Sequence, residues 1–312
     1  MTDQLPPDRS HLSTEQQHPA AIGLHELSIR GCVELMNSED RTVAESVRAA
    51  SSAITNFIAD AEPGFCRGGR LVYVGAGTSG RLGVLDASEA PPTFDVSPGR
   101  VIGLIAGGES ALRRSSEGAE DDADGSRAEL AALRLSADDT VLGIAAGGTT
   151  PYVRGSLGIA TELAPGCTTG LLCGASVRRP EGCTHMICVD TGPEIISGST
   201  RLKAGTATKM VLNMISTTLM IRSGRVYDNL MVDLRATNDK LTDRAIRIVM
   251  ALTGQDRAGA FGLLERADRR VKVAIVMHRL GVDRSRAHEL LDSVDQRLSR
   301  LLDPPTAGAG AR

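Results

Sequence analysis

Three times between residues 70 and 151, a short apolar run breaks into glycine and gives way to helical spacing. Residues 70–74 lead into Gly75-Ala76-Gly77-Thr78-Ser79-Gly80, and residues 101–106 into Gly107-Gly108. Residues 140–145 lead into Gly147-Gly148-Thr149-Thr150-Pro151, and two more apolar runs follow at 169–173 and 185–189. Helix-spaced segments lie between the runs, at 111–119, 126–133 and 152–163. Strands buried on both faces read as continuous apolar runs, and strands alternating with helices build a parallel sheet covered on both sides. The pattern predicts an α/β fold with a doubly wound, mainly parallel five-stranded sheet. Such sheets bind ligands beyond the carboxyl ends of their strands, where every one of these glycine stretches falls.

The flanking sequence is helical. Val43, Val47, Ile54 and Ile58 mark helical spacing within 42–59, after a shorter segment at 27–36, and Glu62-Pro63-Gly64 is the expected stop. Residues 206–221 form a long Met-, Leu- and Ile-rich helix, read as core or subunit seam. Four short amphipathic segments at 243–252, 257–267, 270–280 and 284–291 form a separate module. The expected layout is a disordered N-terminus over 1–20, a sheet domain over 21–238, a small helical module over 239–302 and a disordered tail over 303–312.

Composition removes several classes of function. A net charge of -3 leaves no basic surplus to neutralise a nucleic acid backbone, and 2% aromatic residues offer no stacking platform. With no Trp, a sugar here would be held by hydrogen bonds and charge rather than by ring stacking. The apolar runs are far too short to span a bilayer, and the polar start has no signal-peptide core, so the expected location is the cytoplasm. The six cysteines, at 32, 66, 167, 173, 183 and 188, are expected to be free thiols there. The Cys183 to Cys188 spacing matches no standard zinc pair, and no metal is expected.

Chemistry concentrates in the strand-end loops. Gly75 to Gly80 is formally a dinucleotide fingerprint, but that use calls for an acidic residue about 20 positions on, ending the next strand. Here that strand ends in Gly107-Gly108, with Glu109 only just beyond it. Thr78 and Ser79 suit a nest for a terminal phosphate at a helix N-terminus. By itself the loop leaves phosphate, dinucleotide and bare turn open. Thr150 lies in a second such loop, where the plainer reading is an N-cap. A third stretch, Ser197 to Thr206, sets Arg201 and Lys203 before a helix, a place for cations only when they face an anion. Glu89 and Glu120 by themselves read as surface carboxylates. No Ser-His-Asp or Cys-His set is present; His25, His278 and His288 fall outside the loops.

The run from Gly75 through Arg81-Leu82-Gly83-Val84-Leu85-Asp86-Ala87-Ser88 to Glu89 closely resembles the signature of N-acetylmuramic acid 6-phosphate etherases. Ile105-Ala106-Gly107-Gly108-Glu109, Glu117-Gly118-Ala119-Glu120-Asp121, Gly198 to Thr206 and Asn229-Leu230-Met231-Val232-Asp233 resemble that family too, in the same order, and the likeness covers 14–300. The resemblance implies a sugar isomerase (SIS) domain, a homodimer, and cleavage of the D-lactyl ether of N-acetylmuramic acid 6-phosphate without metal or organic cofactor. It implies a proton-donor role for Glu89 and a second acid/base role for Glu120. Thr78, Ser79, Gly80, Thr150 and Ser199 are the candidates for the sugar phosphate. The second loop departs from the family's usual Ala-Ser-Gly-Arg-Thr-Pro: with Gly147 and Thr149 a hydroxyl and a cation are lost and one hydroxyl returns. Two other uses of such a domain compete: a sugar-phosphate-binding regulator, which in related proteins carries two such domains, and an aldose–ketose isomerase.

Overall fold

The computed structural model describes residues 8–114, 116–234 and 238–303. Residues 1–7, and the tail from 304 on, fall under the two expectations of disorder and lie outside the described residues. The chain divides into two compact units, Met1–Ser88 with Gly99–Ser216 and Glu89–Pro98 with Thr217–Arg312.

The first unit holds α1 (Ile29–Ala49), α2 (Ser51–Cys66), β1 (Leu71–Gly75), most of α3 (Gly77–Phe94), β2 (Val101–Ile105), α4 (Arg127–Leu133), β3 (Thr140–Ile144), α5 (Pro151–Leu163), β4 (Thr168–Cys173), β5 (His185–Cys188) and most of α6 (Lys203–Arg222). The five strands are ordered β2-β1-β3-β4-β5, and every pairing is parallel. β1 is buried along its whole length because both faces are covered. Val72, Val74, Val141 and Leu171 pack with Tyr152, Val153 and Leu157 of α5 on one face. The other face is covered by α2 and α3. A Cβ on Gly170 would meet Phe57 at 2.7 Å, and one on Gly103 would meet Val84 at 2.6 Å, so glycine in these strands lets the helices lie close. Chain order reverses between β1 and β3, which makes the gap beyond their carboxyl ends the topological switch point.

Three local expectations are corrected. α2 does not stop at Pro63 but runs to Cys66. Proline removes one hydrogen bond in what is already the last turn, and burial of Ala61 and Phe65 holds that turn in place. Residues 111–119 are not an α-helix; the described backbone makes 3-10 turns at Gly108–Leu112 and Glu117–Asp121. Left-handed Gly107 and Gly108 bend the chain, and Ser116 Oγ donates to Ala106 O at 3.1 Å, tying the segment back to the end of β2. Residues 8–20 are anchored at their centre: Leu12 and Thr14 are buried, Ser13 Oγ donates to Asp190 at 3.0 Å, and Gly198 N donates to Thr14 O at 3.0 Å.

The second unit takes in more than the expected module. It contains the hairpin β6 (Val226–Tyr227) and β7 (Leu230–Met231), then α7 (Asp239–Thr253), α8 (Arg257–Arg266), α9 (Val271–Leu280), α10 (Arg284–Ser293) and α11 (Leu298–Leu302). Asn238, Asp256 and Asp283 cap the starts of α7, α8 and α10 with side-chain oxygens, and left-handed Gly254 and Gly281 end α7 and α9. Val249, Leu264, Ala274, Ile275 and Leu291 form its core. The buried Lys272 ammonium meets Asp233 at 2.7 Å, with Arg225 3.0 Å from the same carboxylate.

Candidate active site at the carboxyl end of the sheet

The first loop is shaped by what it excludes. A Cβ on Gly75 would lie 2.6 Å from Gly80 N, and one on Gly80 would lie 2.6 Å from Ile105 Cγ1. α3 therefore starts directly against the end of β1. Gly77 has φ +51 with open space around it, so its glycine answers a left-handed backbone rather than crowding. Gly80 N donates to Ala76 O at 3.1 Å, and half-buried Thr78 and Ser79 precede it in the first helical turn, beyond the strand end.

The second loop lies across the switch point, at the end of neighbouring β3. Gly148 is left-handed (φ +69), and a Cβ there would meet Val177 at 2.7 Å. Thr150 precedes α5, with Pro151 at the first helical position, yet its side chain makes no capping hydrogen bond. The plainer N-cap reading of Thr150 therefore does not describe this loop. Gly147 has room: a Cβ would find only Leu12 and Thr149 atoms, each at 3.8 Å.

The third stretch reaches the first. A Cβ on Gly205 would lie 3.5 Å from Thr200 O and 3.7 Å from Thr78 Cγ2. Half-buried Ser199 is held in a turn, its N–H donating to Ile196 O at 2.9 Å. The two cations of this stretch part company. Lys203 is 4% exposed and pairs with Glu39 at 2.8 Å, while Arg201 is exposed. His18 Nε2 lies 2.9 Å from the same Glu39 carboxylate. The hydrogen bond from Lys203 holds Glu39 below the usual carboxylate range, against the opposing effect of burial. The start of α6 is occupied as well: buried Glu194 accepts from Lys203 N at 3.0 Å and Ala204 N at 2.9 Å. The anion that this helix start called for is the protein's own.

Glu120 is exposed in the 3-10 turn that follows β2. Just beyond it the chain packs on α5, where a Cβ on Gly155 would lie 1.9 Å from Ala123 O. The turn thus belongs to the carboxyl end of the sheet, with the loops. Glu89 is exposed on α3 and belongs to the second unit. The structure brings Thr78, Ser79, Gly80, Thr150, Ser199 and Glu120 to one end of the sheet; Glu89 is not among them.

Sequence reading missed the polar set that fixes α3. Tyr73 of β1 donates to Asp86 at 3.0 Å, and Lys209 of α6 donates to the other Asp86 oxygen at 2.8 Å. Burial, followed by the Asp86 charge, pushes the Tyr73 phenol well above its usual value, so it stays a donor. One signal was available: Lys209 is the only charged residue between Lys203 and Arg222 in an otherwise uncharged helix. A lone charge in such a helix needs a partner. Among the described residues, no helix is long and apolar enough to cross a membrane, and no group of three or more His, Cys, Asp or Glu could hold a metal ion.

Comparison with known proteins adds names to this geometry. Residues 50–161 match the family model of the glucokinase regulatory protein N-terminal SIS domain. An N-acetylmuramic acid 6-phosphate etherase of Gloeobacter violaceus is 53% identical over 273 residues, 88% of this chain and 89% of that protein. Etherase 1 of Bacillus licheniformis is 47% identical over 86% of this chain and 89% of its own length. The Serratia proteamaculans etherase is 50% identical over 85% and 89%. Among solved structures, the sugar isomerase domain of an RpiR transcription factor from Sphaerobacter thermophilus matches 58% of this chain and 91% of its own at 16% identity, with a TM-score of 0.36.

Proposed function

This chain belongs to the N-acetylmuramic acid 6-phosphate etherase family, and from that premise we propose how its residues carry the reaction. It is a lyase: it cleaves the D-lactyl ether of N-acetylmuramic acid 6-phosphate to N-acetylglucosamine 6-phosphate and D-lactate. The observation that carries this is near-half identity to etherases over most of both chains.

The phosphate is held at the switch point by the first turn of α3 with Thr78, Ser79 and Gly80, by Thr150, and by Ser199. In the open-chain sugar the C1 aldehyde acidifies the C2 proton. A base removes that proton, the lactyl oxygen leaves C3 as an acid protonates it, and water then adds to C3 while C2 is reprotonated. This sequence needs one proton acceptor and one donor, roles that a pair of carboxyl groups in different surroundings can divide. Glu89 takes the donor role and Glu120 the second acid/base role. The chain acts as a homodimer, as the resemblance implies, and Glu89 serves either its own chain's bound sugar or the partner's. Mixing inactive Thr78→Ala and Glu89→Gln chains restores turnover if the site is shared across the dimer; continued inactivity of the mixture places both residues in one chain's site.

The test is a coupled D-lactate assay on the purified protein with N-acetylmuramic acid 6-phosphate. Stoichiometric D-lactate and N-acetylglucosamine 6-phosphate are expected. Ligand-induced thermal stabilisation with no lactate would instead favour a sugar-phosphate-binding regulator.

A further inference from the structure

Two cysteines end adjacent strands. Cys173 closes β4, Cys188 closes edge strand β5, and the sheet register pairs them directly. Register partners in a parallel pair point to the same face. Adjacent strands lie about 4.8 Å apart, inside the ~4.4–6.8 Å Cα separation that a disulfide spans. Their surroundings differ sharply. Cys173 is buried, and its thiol approaches Ala175 O at 3.2 Å; Cys188 is exposed. A hydrogen bond between the two sulfur groups lowers the Cys188 thiol and raises that of Cys173, which burial raises further. Cys167 and Cys183, by contrast, are buried, and burial raises both.

We propose that Cys173 and Cys188 are a modification site, a redox pair that a hydroperoxide converts to a disulfide at the carboxyl edge of the sheet. The exposed Cys188 thiolate attacks a peroxide oxygen and the O–O bond breaks. This leaves Cys188 as a sulfenic acid, and the departing hydroxide or alkoxide takes up a proton. The Cys173 sulfur then attacks the Cys188 sulfur; the S–O bond breaks, and hydroxide leaves with the Cys173 proton as water. Two thiols are oxidised, and with hydrogen peroxide one peroxide is reduced to two waters. The bond would form directly beneath the second loop. Gly174 N donates to Ala146 O at 2.7 Å, Val189 N donates to Cys173 O at 2.8 Å, and a Cβ on Gly148 would lie 3.3 Å from Cys173 Cβ. Tying the two strand ends together therefore restrains Gly147 to Thr150. That consequence rests on the reading of this loop as a phosphate site; formation of the bond does not.

The experiment treats the reduced full chain with stoichiometric hydrogen peroxide, then alkylates and maps peptides without reductant. The expected product has lost two hydrogens in mass and yields one linked peptide pair containing Cys173 and Cys188, separable by dithiothreitol, with the other four cysteines alkylated. Cys188→Ser gives no linked pair. Cys173→Ala gives none either, but leaves a Cys188 sulfenic acid that dimedone captures. Six alkylatable thiols after treatment, or a link from Cys188 to another cysteine, overturns the proposal. Since the mass readout uses no sugar, it stands whether or not the etherase assay succeeds. In an active preparation, the oxidised form shows a severalfold higher KM that dithiothreitol reverses; an unchanged KM with the disulfide formed refutes the coupling to the loop.

Discussion

At the amino end of the sheet, Asp139 is enclosed by its own protein. It accepts from Arg70 N, Nε and Nη2 at 2.7, 2.9 and 2.7 Å and from Ser136 N at 2.7 Å, while Arg70 also donates to Leu133 O. Gly69 lies so tightly against the neighbouring backbone that a Cβ would fall 1.9 Å from Asp138 O. At the carboxyl end the same sheet does the opposite. Glycines clear side chains away from the starts of two helices, and Thr150 makes no cap where a cap is the ordinary use of its hydroxyl. Polar groups that satisfy one another hold a fold together; polar groups kept at a strand end without that duty can meet a ligand. The contrast separates stability from binding within one unit, and it can be attacked from either end.

The largest effect belongs to the carboxyl end. Glu120→Gln should lower kcat by about 10³-fold with the thermal midpoint unchanged, measured by lactate release and calorimetry. Retained turnover would remove Glu120 from the chemistry. At the amino end, Asp139→Asn should cost about 4 kcal/mol of stability and leave KM unaltered in protein that stays folded, read by urea titration and kinetics. The pH dependence follows from the same carboxyl group. Burial alone would raise it, but the Arg70 side chain and the N–H groups of Ser136 and Arg70 outweigh burial and lower it from 3.8 to about 2. The stabilisation is thus complete above the unfolded value and is lost as pH falls through about 2. Asp139→Asn should flatten this acid limb.

Thr150→Ala comes next. Loss of one hydrogen bond to a phosphate should raise KM about tenfold at constant thermal stability. A loss of about 1 kcal/mol of stability with KM unchanged would return Thr150 to capping. The smallest effect tests the loop's departure from the family pattern. Gly147 has room for a side chain, so Gly147→Ser should fold normally and lower KM about threefold. A higher KM would mean that the glycine itself serves the ligand.

Much of this organisation was legible in the sequence, because it is written locally. The five strands are short apolar runs, and each is bounded by its own glycine or helix start. Loop positions follow directly from strand ends. The caps Asn238, Asp256 and Asp283 likewise act only a few residues away. What could not be read depends on partners brought together by folding. Lys203 and Glu39 are 164 residues apart, Lys209 and Asp86 are 123 apart, and Arg70 and Asp139 are 69 apart. No periodicity connects such pairs, so the anion facing Lys203 was foreseeable as a need but not as Glu39. The hairpin at Val226–Tyr227 and Leu230–Met231 is too short for alternation to announce it. Glu89 and Glu120 had no signal of their own, and only the motifs around them drew attention to either.

Elimination across C2 and C3 followed by addition of water is tested most directly by isotope placement. Turnover of N-acetylmuramic acid 6-phosphate in ¹⁸O-labelled water, followed by mass spectrometry of both products, should put the heavy oxygen on C3 of N-acetylglucosamine 6-phosphate and none on the former ether oxygen of lactate. Heavy oxygen at the lactate hydroxyl would mean that the other C–O bond breaks, and would contradict the roles given to Glu89 and Glu120.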